Sequence, residues 1–181
     1  MKKLFKTFVA LAAVAALGFS FVSCGNPEDD NDGSRIPAST SIGSSGIVKD
    51  KEIPTEGLLA HFEDSYRSGF KFYNNNSYIR YVETGDGTKI YNKGTYTCSD
   101  SFNVGSKITI TPTHGLVQMN SSDYRLVTKE ELAKIKAEKK TGEYFIKEAE
   151  REFNVLNAEI VNKYDYDYLE VGTARWLKHS K

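Results

Sequence analysis

Three histidines carry the side chains best suited to acid–base or metal chemistry, and the sequence scatters them. His61, His114 and His179 lie far apart, and none belongs to a His-x-x-x-His or His-Glu-x-x-His motif. His61 is close to Glu63 and Asp64, and together they could form part of a metal site. Because further ligands are missing, a histidine that ends a strand beside a solvated turn is the better interpretation. The chain also contains no phosphate-binding glycine loop and no Gly-x-Ser-x-Gly elbow. The sequence therefore predicts no enzyme, no metal site and no cofactor.

Cys24 is the residue whose surroundings define a chemical role. Three lysines near the N-terminus precede residues 8–22, an uncharged run made mostly of Ala, Val, Leu and Phe. This is the layout of a secretory signal peptide. A transmembrane helix is the alternative, but it needs about 20 apolar residues, and Pro27 with an acidic cluster follows soon after. The sequence predicts a signal peptide over residues 1–23.

The end of that segment, Phe21-Val22-Ser23-Cys24, resembles the lipobox of bacterial lipoproteins. Phe21 stands where leucine is commonest, a departure that spirochaete-type lipoproteins tolerate. The resemblance implies diacylglycerol on the Cys24 sulfur, cleavage before Cys24 and acylation of the new amine. Two or three acyl chains give stable anchoring where one does not. We therefore expect a lipid-anchored protein of the bacterial cell envelope, at the outer membrane or cell surface rather than the inner membrane. An ordinary cleavage site beside a free thiol is the alternative for Cys24.

Charge and cysteine content narrow the classes of partner. The full chain has a formal net charge of +0 and its leader holds three lysines and no acid, so the mature chain has a charge of −3. A mildly acidic chain lacks the basic footprint of a nucleic-acid-binding protein, and membrane attachment must depend on the lipid. Cys98 is then the second and last cysteine. It is interpreted as a small buried residue in a strand rather than as a reactive thiol.

Residues 24–56 are predicted to be the lipidated cysteine followed by a flexible tether. They are rich in Gly, Ser, Asn, Asp, Thr and Pro and contain no aromatic residue. Such a segment cannot bury enough apolar surface to offset the entropy lost on ordering. Its acidic cluster at residues 28–33 lacks the glutamate spacing of a calcium-binding loop and is interpreted as solvated.

From residue 57 to residue 181 the pattern is that of one folded domain. Short aromatic and apolar runs alternate with turn signals, which predicts antiparallel strands. The run Asn74–Ser77 predicts a hairpin because asparagine tolerates left-handed conformations, and Asp86-Gly87 predicts a second turn. Gly94 predicts a bulge or a close approach of backbones. The strands are expected at residues 57–62, 70–73, 78–82, 89–97, 107–111 up to Pro112, 116–119 and 124–127.

A helical period replaces this pattern over residues 128–155. Thr128 and Glu131 have the spacing of a capping box and predict a helix that ends near Lys140. A second helix is predicted over residues 143–153, with acidic and basic residues that pair locally on a solvated face. Residues 155–161 either continue this helix or begin a strand.

The C-terminal part returns to a period of two. Tyr164, Tyr166 and Tyr168 alternate with aspartates, which places them on one face of a predicted strand. Residues 173–179 predict a last strand that pairs with the first and closes the sheet. The predicted fold class is mainly β with a helical insertion (α+β), an antiparallel barrel or curled sheet with helices between the late strands.

A second resemblance covers roughly residues 57–135. Phe70-x-Phe72 with an Asn-rich turn, Gly94-Thr95-Tyr96-Thr97 and Ile108-Thr109-Ile110-Thr111 resemble the lipocalin-like lipoproteins of spirochaetes and Bacteroidetes. The resemblance implies a calyx-like barrel and no shared chemistry. The charged segment 128–155 departs from a compact eight-stranded lipocalin.

These observations predict a non-catalytic, membrane-anchored lipoprotein that binds a small apolar or amphipathic ligand. Tyr164, Tyr166 and Tyr168 are the candidate ligand-binding residues, because their rings are apolar and their tips polar. Rings that merely pack the sheet are the alternative, since small barrels are filled by their own side chains. The alternative function is a protein–protein interaction module in which the segment 128–155 presents a helical face to an envelope or host partner.

Overall fold

A long antiparallel sheet that closes on itself organises the chain. The structure, a computed structural model, describes residues 46–48, 53–85 and 87–179. The predicted signal peptide of residues 1–23 and the predicted lipidation site Cys24 lie outside the described residues. The strands and helices in chain order are β1 (Ile47–Val48), β2 (Leu58–Glu63), β3 (Ser68–Tyr73), β4 (Ser77–Thr84), β5 (Gly87–Cys98), β6 (Lys107–Gln118), β7 (Tyr124–Val127), α1 (Lys129–Ala137), α2 (Glu143–Arg151), β8 (Leu156–Lys163), β9 (Tyr166–Val171) and β10 (Ala174–His179).

Eight of these strands form a closed barrel, in the order β5-β4-β3-β2-β10-β9-β8-β6 with β6 pairing back to β5. Every pairing is antiparallel, and β10 joins β2 with Lys178 opposite Phe62. The predicted barrel is therefore confirmed, as is the pairing of the last strand with the first predicted strand, which is β2. The helices lie between β7 and β8, which confirms a helical insertion between late strands. The molecule belongs to the class of antiparallel β-barrels with lipocalin-like architecture.

Local sequence signals fix two of the connections. Asn76 has a φ of 62° in the β3–β4 turn, and the Asn75 side-chain oxygen accepts the Ser77 amide at 2.9 Å, which confirms the asparagine hairpin. Between Lys93 and Gly94 the register of β5 against β6 shifts. A Cβ atom on Gly94 would collide with the backbone of β6 at Thr111. The predicted bulge and close approach are both present there.

The two helices form as the capping and periodicity signals predict. Thr128 Oγ1 accepts the Glu131 amide at 3.2 Å, and Glu131 Oε2 accepts the Thr128 amide at 2.7 Å, so the capping box is confirmed. Both helices are shorter than expected, α1 ending at Ala137 and α2 at Arg151. Local ion pairs such as Arg151–Glu148 at 2.6 Å cover the solvated face of α2.

Two predicted strand boundaries are wrong. The strand β6 does not stop at Pro112 but continues to Gln118, so the run expected at residues 116–119 is its second half. Pro112 lies opposite Gly94 at the bulge, where the ladder is already interrupted and a missing N–H is tolerated. Tyr164 and Asp165 form a turn with φ of 56° and 66° rather than part of a strand.

The folded part also begins before residue 57, which corrects the predicted tether of residues 24–56. Residues 47 and 48 pair with β5 as the short strand β1, and Gly46 donates its amide to the Tyr124 carbonyl at 2.7 Å. Ile53 is 4% exposed and packs with Tyr73 and other residues outside the barrel interior. For residues 155–161 the sequence left open a longer helix or a new strand, and the structure shows the strand β8.

Candidate ligand-binding groove

The interior of the barrel is occupied by the protein's own rings. Neighbouring rings touch in edge-on and tilted pairs, such as Phe72 with Tyr96 at a centroid distance of 5.0 Å and Phe70 with Trp176 at 5.0 Å. Such pairs add stability beyond the area that they bury. The aromatic members of this cluster are Phe62, Phe70, Phe72, Tyr78, Tyr96, Phe102 and Trp176. A filled interior is what a small barrel is expected to have.

The tyrosines predicted to bind a ligand lie outside this interior. Tyr164 is 88% exposed in the β8–β9 turn, and Tyr166 is 58% exposed. Tyr168 is two residues from Tyr166 and next to Leu169, whose buried side chain belongs to the interior cluster. Because successive side chains point to opposite faces of a strand, Tyr166 and Tyr168 lie on the outer face. The expectation that all three tyrosines share one face of a strand is wrong, because the Tyr-Asp repeat crosses a turn at Tyr164 and Asp165. Their ligand-binding role stays a prediction.

A groove of about 200 Å³ lies where β5 and β6 separate. Residues 92–98 of β5 pair with β6, whereas Lys89 and Thr88 pair with β1 instead. On the other side, residues 115–118 of β6 pair with β7. We call this place the seam. The residues that line the groove at the seam are Lys89, Tyr91, Leu116, Gln118, Tyr124, Tyr144, Phe145, Glu148 and Glu152.

The helix α2 covers the seam because one of its sides is apolar. Ile146 and Ala149 of α2, together with Phe153 just beyond its end, pack with Val117 and Val127 in a hydrophobic cluster. Gly115 makes this approach possible, since a Cβ atom there would lie 2.9 Å from the Phe153 ring. Packing of α2 brings aromatic and acidic side chains from the helix to the rings of β5 and β7.

Lys89 carries the unusual electrostatics of the groove. Its Nζ lies 4.0 Å from the centroid of the Tyr124 ring and 6.0 Å from that of Tyr91. Burial lowers the pKa of this ammonium group. Within the part of the chain that the structure describes, no carboxylate lies within ion-pair distance of Lys89.

The two carboxylates of the groove are paired. Glu148 accepts from Arg151 at 2.6 Å. Glu152 accepts from Asn92 Nδ2 at 2.7 Å and from Arg80 Nη1 at 3.2 Å. Burial raises the pKa of the Glu152 carboxyl, while the charge of Arg80 and the bond from Asn92 act in the opposite direction.

A polar chain connects this groove with the barrel interior. Tyr78, a member of the interior cluster, donates its hydroxyl to Asn92 Oδ1 at 2.8 Å, and Asn92 in turn donates to Glu152. The Arg80 guanidinium lies 5.9 Å from the Phe70 ring centroid and 5.2 Å from that of Tyr91. Its Nε is buried and has no hydrogen-bond partner. These hydrogen bonds link a ring of the interior cluster to a carboxylate of the groove.

A second groove of about 350 Å³ lies between α1 and α2. It is lined by Lys129, Ala133, Lys136 and Phe153 among others. Lys136 is paired with Glu150 at 2.7 Å. This groove lies on the segment that the sequence offers as a protein-binding face.

Two of the three histidines, which look isolated in the sequence, meet on the outer wall of the barrel. His179 lies directly opposite His61 in the β10–β2 ladder, and their rings stack at 4.8 Å. The Tyr81 hydroxyl lies 2.6 Å from His61 Nε2 and donates to Glu63 Oε2 at 2.6 Å. Burial lowers the pKa of His61 to about 4, and nearby positive charges such as Lys71 act in the same direction. The pairing of β10 with β2 that closes the barrel brings these two histidines together.

This histidine cluster has no arrangement that fits a metal. Across residues 46–48, 53–85 and 87–179, no group of three or more His, Cys, Asp or Glu side chains is placed to hold a metal ion. In the same ranges, no helix combines the length and the apolar character required to cross a membrane. Cys98 is a free thiol at the end of β5, packed against the interior cluster.

Comparison with protein-family models, with curated proteins and with solved structures finds no match to this chain. The groove therefore has to be interpreted from its own residues. Sequence reasoning did not find Lys89, Tyr124 or Glu152 as site residues, since their strands and helix are ordinary and only the separation of β5 from β6 brings them together.

Proposed function

We propose that this chain is a lipid-anchored lipoprotein of the bacterial envelope whose barrel binds a small amphipathic ligand in the groove at the seam. The observation that carries the binding role is the contrast between an interior filled by aromatic rings and a groove lined by rings that still adjoin charged groups. Apolar walls with a few convergent polar groups are the usual character of small-molecule sites. The domain has no catalytic role in this proposal.

The anchor is supported by the lipobox resemblance at Phe21–Cys24 and is tested separately. Mass spectrometry of the mature N-terminus should find an acylated Cys24. The substitution Cys24→Ala should release the protein from the membrane fraction. An intact N-terminus in the mature protein, with Cys24 unmodified, would rule the anchor out without affecting the binding role.

The groove is tested by its tyrosines. The mature chain with Cys24→Ala, so that no attached lipid competes, is titrated with sodium octanoate, and amide chemical shifts are followed by NMR. We expect shifts concentrated at Lys89, Tyr91 and Tyr124, and at least about a tenfold loss of affinity in Tyr124→Ala. The matched control is Tyr166→Ala, which removes an exposed tyrosine from the outer face. Shifts confined to β9, or equal loss in both variants, would contradict the groove.

A second candidate function is a protein–protein module, favoured by the groove between α1 and α2 and by Tyr144, which is 68% exposed on α2. Here the ligand is an envelope protein. A photocrosslinker at Ala133 should give one discrete adduct in intact cells, and one at Thr111 on β6 should not. Equal labelling from both positions would exclude a specific partner on the helices.

A further inference from the structure

The groove at the seam holds a cation without a counter-charge. Both of its carboxylates have partners, Glu148 with Arg151 and Glu152 with Arg80. Lys89 contacts two tyrosine rings and has no acidic partner among the described residues. The net uncompensated charge of the groove is therefore positive.

Such an arrangement is incomplete on physical grounds. Lys89 is only partly buried in the groove, and even partial desolvation of an ammonium group carries an energetic cost. Contacts with two ring faces return only part of that cost. An anion beside Nζ would supply the missing charge-assisted hydrogen bond.

The rest of the groove favours an apolar body attached to that anion. Tyr91, Tyr124, Phe145 and Leu116 surround the space with rings and methyl groups. Its volume of about 200 Å³ is below the range of about 300–1,000 Å³ usual for drug-sized ligands. A short chain or a single ring fits this space better than a long acyl chain.

A cationic ligand is disfavoured by the same contacts. Aromatic cages bind quaternary ammonium groups on free ring faces. Here Lys89 lies over Tyr124 at 4.0 Å and Arg80 lies over Tyr91 at 5.2 Å. The protein's own cations occupy these rings, and the groove carboxylates are already paired.

We infer that the groove at the seam takes a small free amphipathic anion, with its head group on Lys89 Nζ and its apolar part against Tyr91 and Tyr124. This inference rests on the proposed ligand-binding role and adds the charge class of the ligand. It makes Lys89 the residue that determines specificity, and the tyrosines the residues that contribute affinity.

The test compares three probes with the same eight-carbon chain by isothermal titration calorimetry on the mature chain carrying Cys24→Ala. The probes are octanoate, 1-octanol and octyltrimethylammonium. We expect octanoate to bind about tenfold more tightly than 1-octanol, and octyltrimethylammonium to bind most weakly. In Lys89→Met the affinity for octanoate should fall to that for 1-octanol, while the affinity for 1-octanol stays unchanged. Lys107→Met, an exposed lysine on β6, is the matched control.

The outcomes separate the two proposals. Equal affinity for octanoate and 1-octanol, with no effect of Lys89→Met, would overturn the inference and leave the binding groove standing. Failure of all three probes to bind would overturn both. Lys89→Gln gives a second test of the charge if Lys89→Met does not fold, with the same loss expected. Sedimentation with phosphatidylglycerol vesicles that depends on Lys89, without octanoate binding, would overturn a free anion in favour of a membrane surface.

Discussion

The barrel interior and the seam are built from the same kinds of ring and use them differently. In the interior, rings such as Phe72 and Tyr96 pack on other rings. At the seam, Tyr124 and Tyr91 adjoin the ammonium group of Lys89 and the guanidinium group of Arg80. The interior rings are almost fully buried, whereas the seam remains an accessible groove. Rings that pack on one another stabilise the fold, whereas the rings at the seam line an accessible groove beside the ammonium group of Lys89.

The boundary between the two regions explains how both exist in one small domain. A barrel that closed completely along β5 and β6 would leave no groove, because their ladder would continue past Asn92. The register shift between Lys93 and Gly94 is followed by the separation of these strands, and β1 and β7 then pair with their freed edges. Edges covered in this way are also protected from pairing with other chains.

The largest effect is expected from a substitution that creates a cavity in the barrel interior. Phe72→Ala should lower the free energy of unfolding by about 3–5 kcal/mol, since it removes a fully buried ring that touches several others. Urea unfolding of the mature chain measures this. Tyr166→Ala, at an exposed tyrosine, should stay within about 0.5 kcal/mol. Similar values for the two variants would mean that the interior does not dominate stability.

The hydrogen bond between Tyr78 and Asn92 tests the boundary. Asn92→Ala should cost roughly 1–3 kcal/mol, because it leaves a buried tyrosine hydroxyl without its acceptor. Tyr78→Phe removes that hydroxyl, so the double variant should cost less than the sum of the single ones. A coupling free energy of roughly 0.5–3 kcal/mol from urea unfolding is expected. Additive effects would show that interior and seam are energetically independent.

The contrast also shows which parts of this molecule its sequence could predict. The asparagine turn at residues 74–77, the Gly94 bulge and the Thr128 capping box depend on neighbours in the chain, and all are confirmed. The barrel itself follows from many short strands with turns at regular spacing. The alternation of Tyr and Asp at residues 164–168 wrongly predicted one continuous strand. Asp165 tolerates a left-handed turn, and the same alternating sequence can run from a turn into a strand.

The groove could not be predicted in this way. Lys89, Tyr124 and Glu152 are far apart in the chain, and each looks like an ordinary residue of a strand or helix. The early strand β1 was missed because its segment has the composition of a flexible tether. Its strand conformation depends on pairing with β5, which the composition does not reveal. The strand end predicted at Pro112 was wrong for a related reason. A proline is excluded from a strand only where a backbone N–H is needed for the ladder.

On the outer wall of the barrel, His61 should make the free energy of unfolding depend on pH. The pKa of His61 is about 4 in the folded protein and 6.5 as the ordinary value, so the unfolded chain takes up its proton at the higher pH. Stability from this group is therefore fully present above about pH 6.5 and is lost as the pH falls towards 4. Lys71, His179, Glu63 and Tyr81 are the ionisable groups that face it.

Urea unfolding at pH 7.5 and pH 4.5 should show this loss. The wild-type protein should lose roughly 1–3 kcal/mol more than His61→Gln between the two values, since one pKa unit corresponds to about 1.4 kcal/mol. Taking the difference removes the carboxylates common to both proteins. An equal loss in both would mean that the wall buries His61 less than the structure indicates.

The smallest effect on stability is expected at the seam itself. In Lys89→Met two cation–π contacts disappear, each contributing about 0.5–1 kcal/mol at an exposed site, but the cost of desolvating an unpaired ammonium group disappears as well. The free energy of unfolding should therefore change by less than about 1 kcal/mol. A loss above about 2 kcal/mol in urea unfolding would show that Lys89 holds the strands of the seam together. The ammonium group of Lys89 would then stabilise the fold rather than bind a ligand.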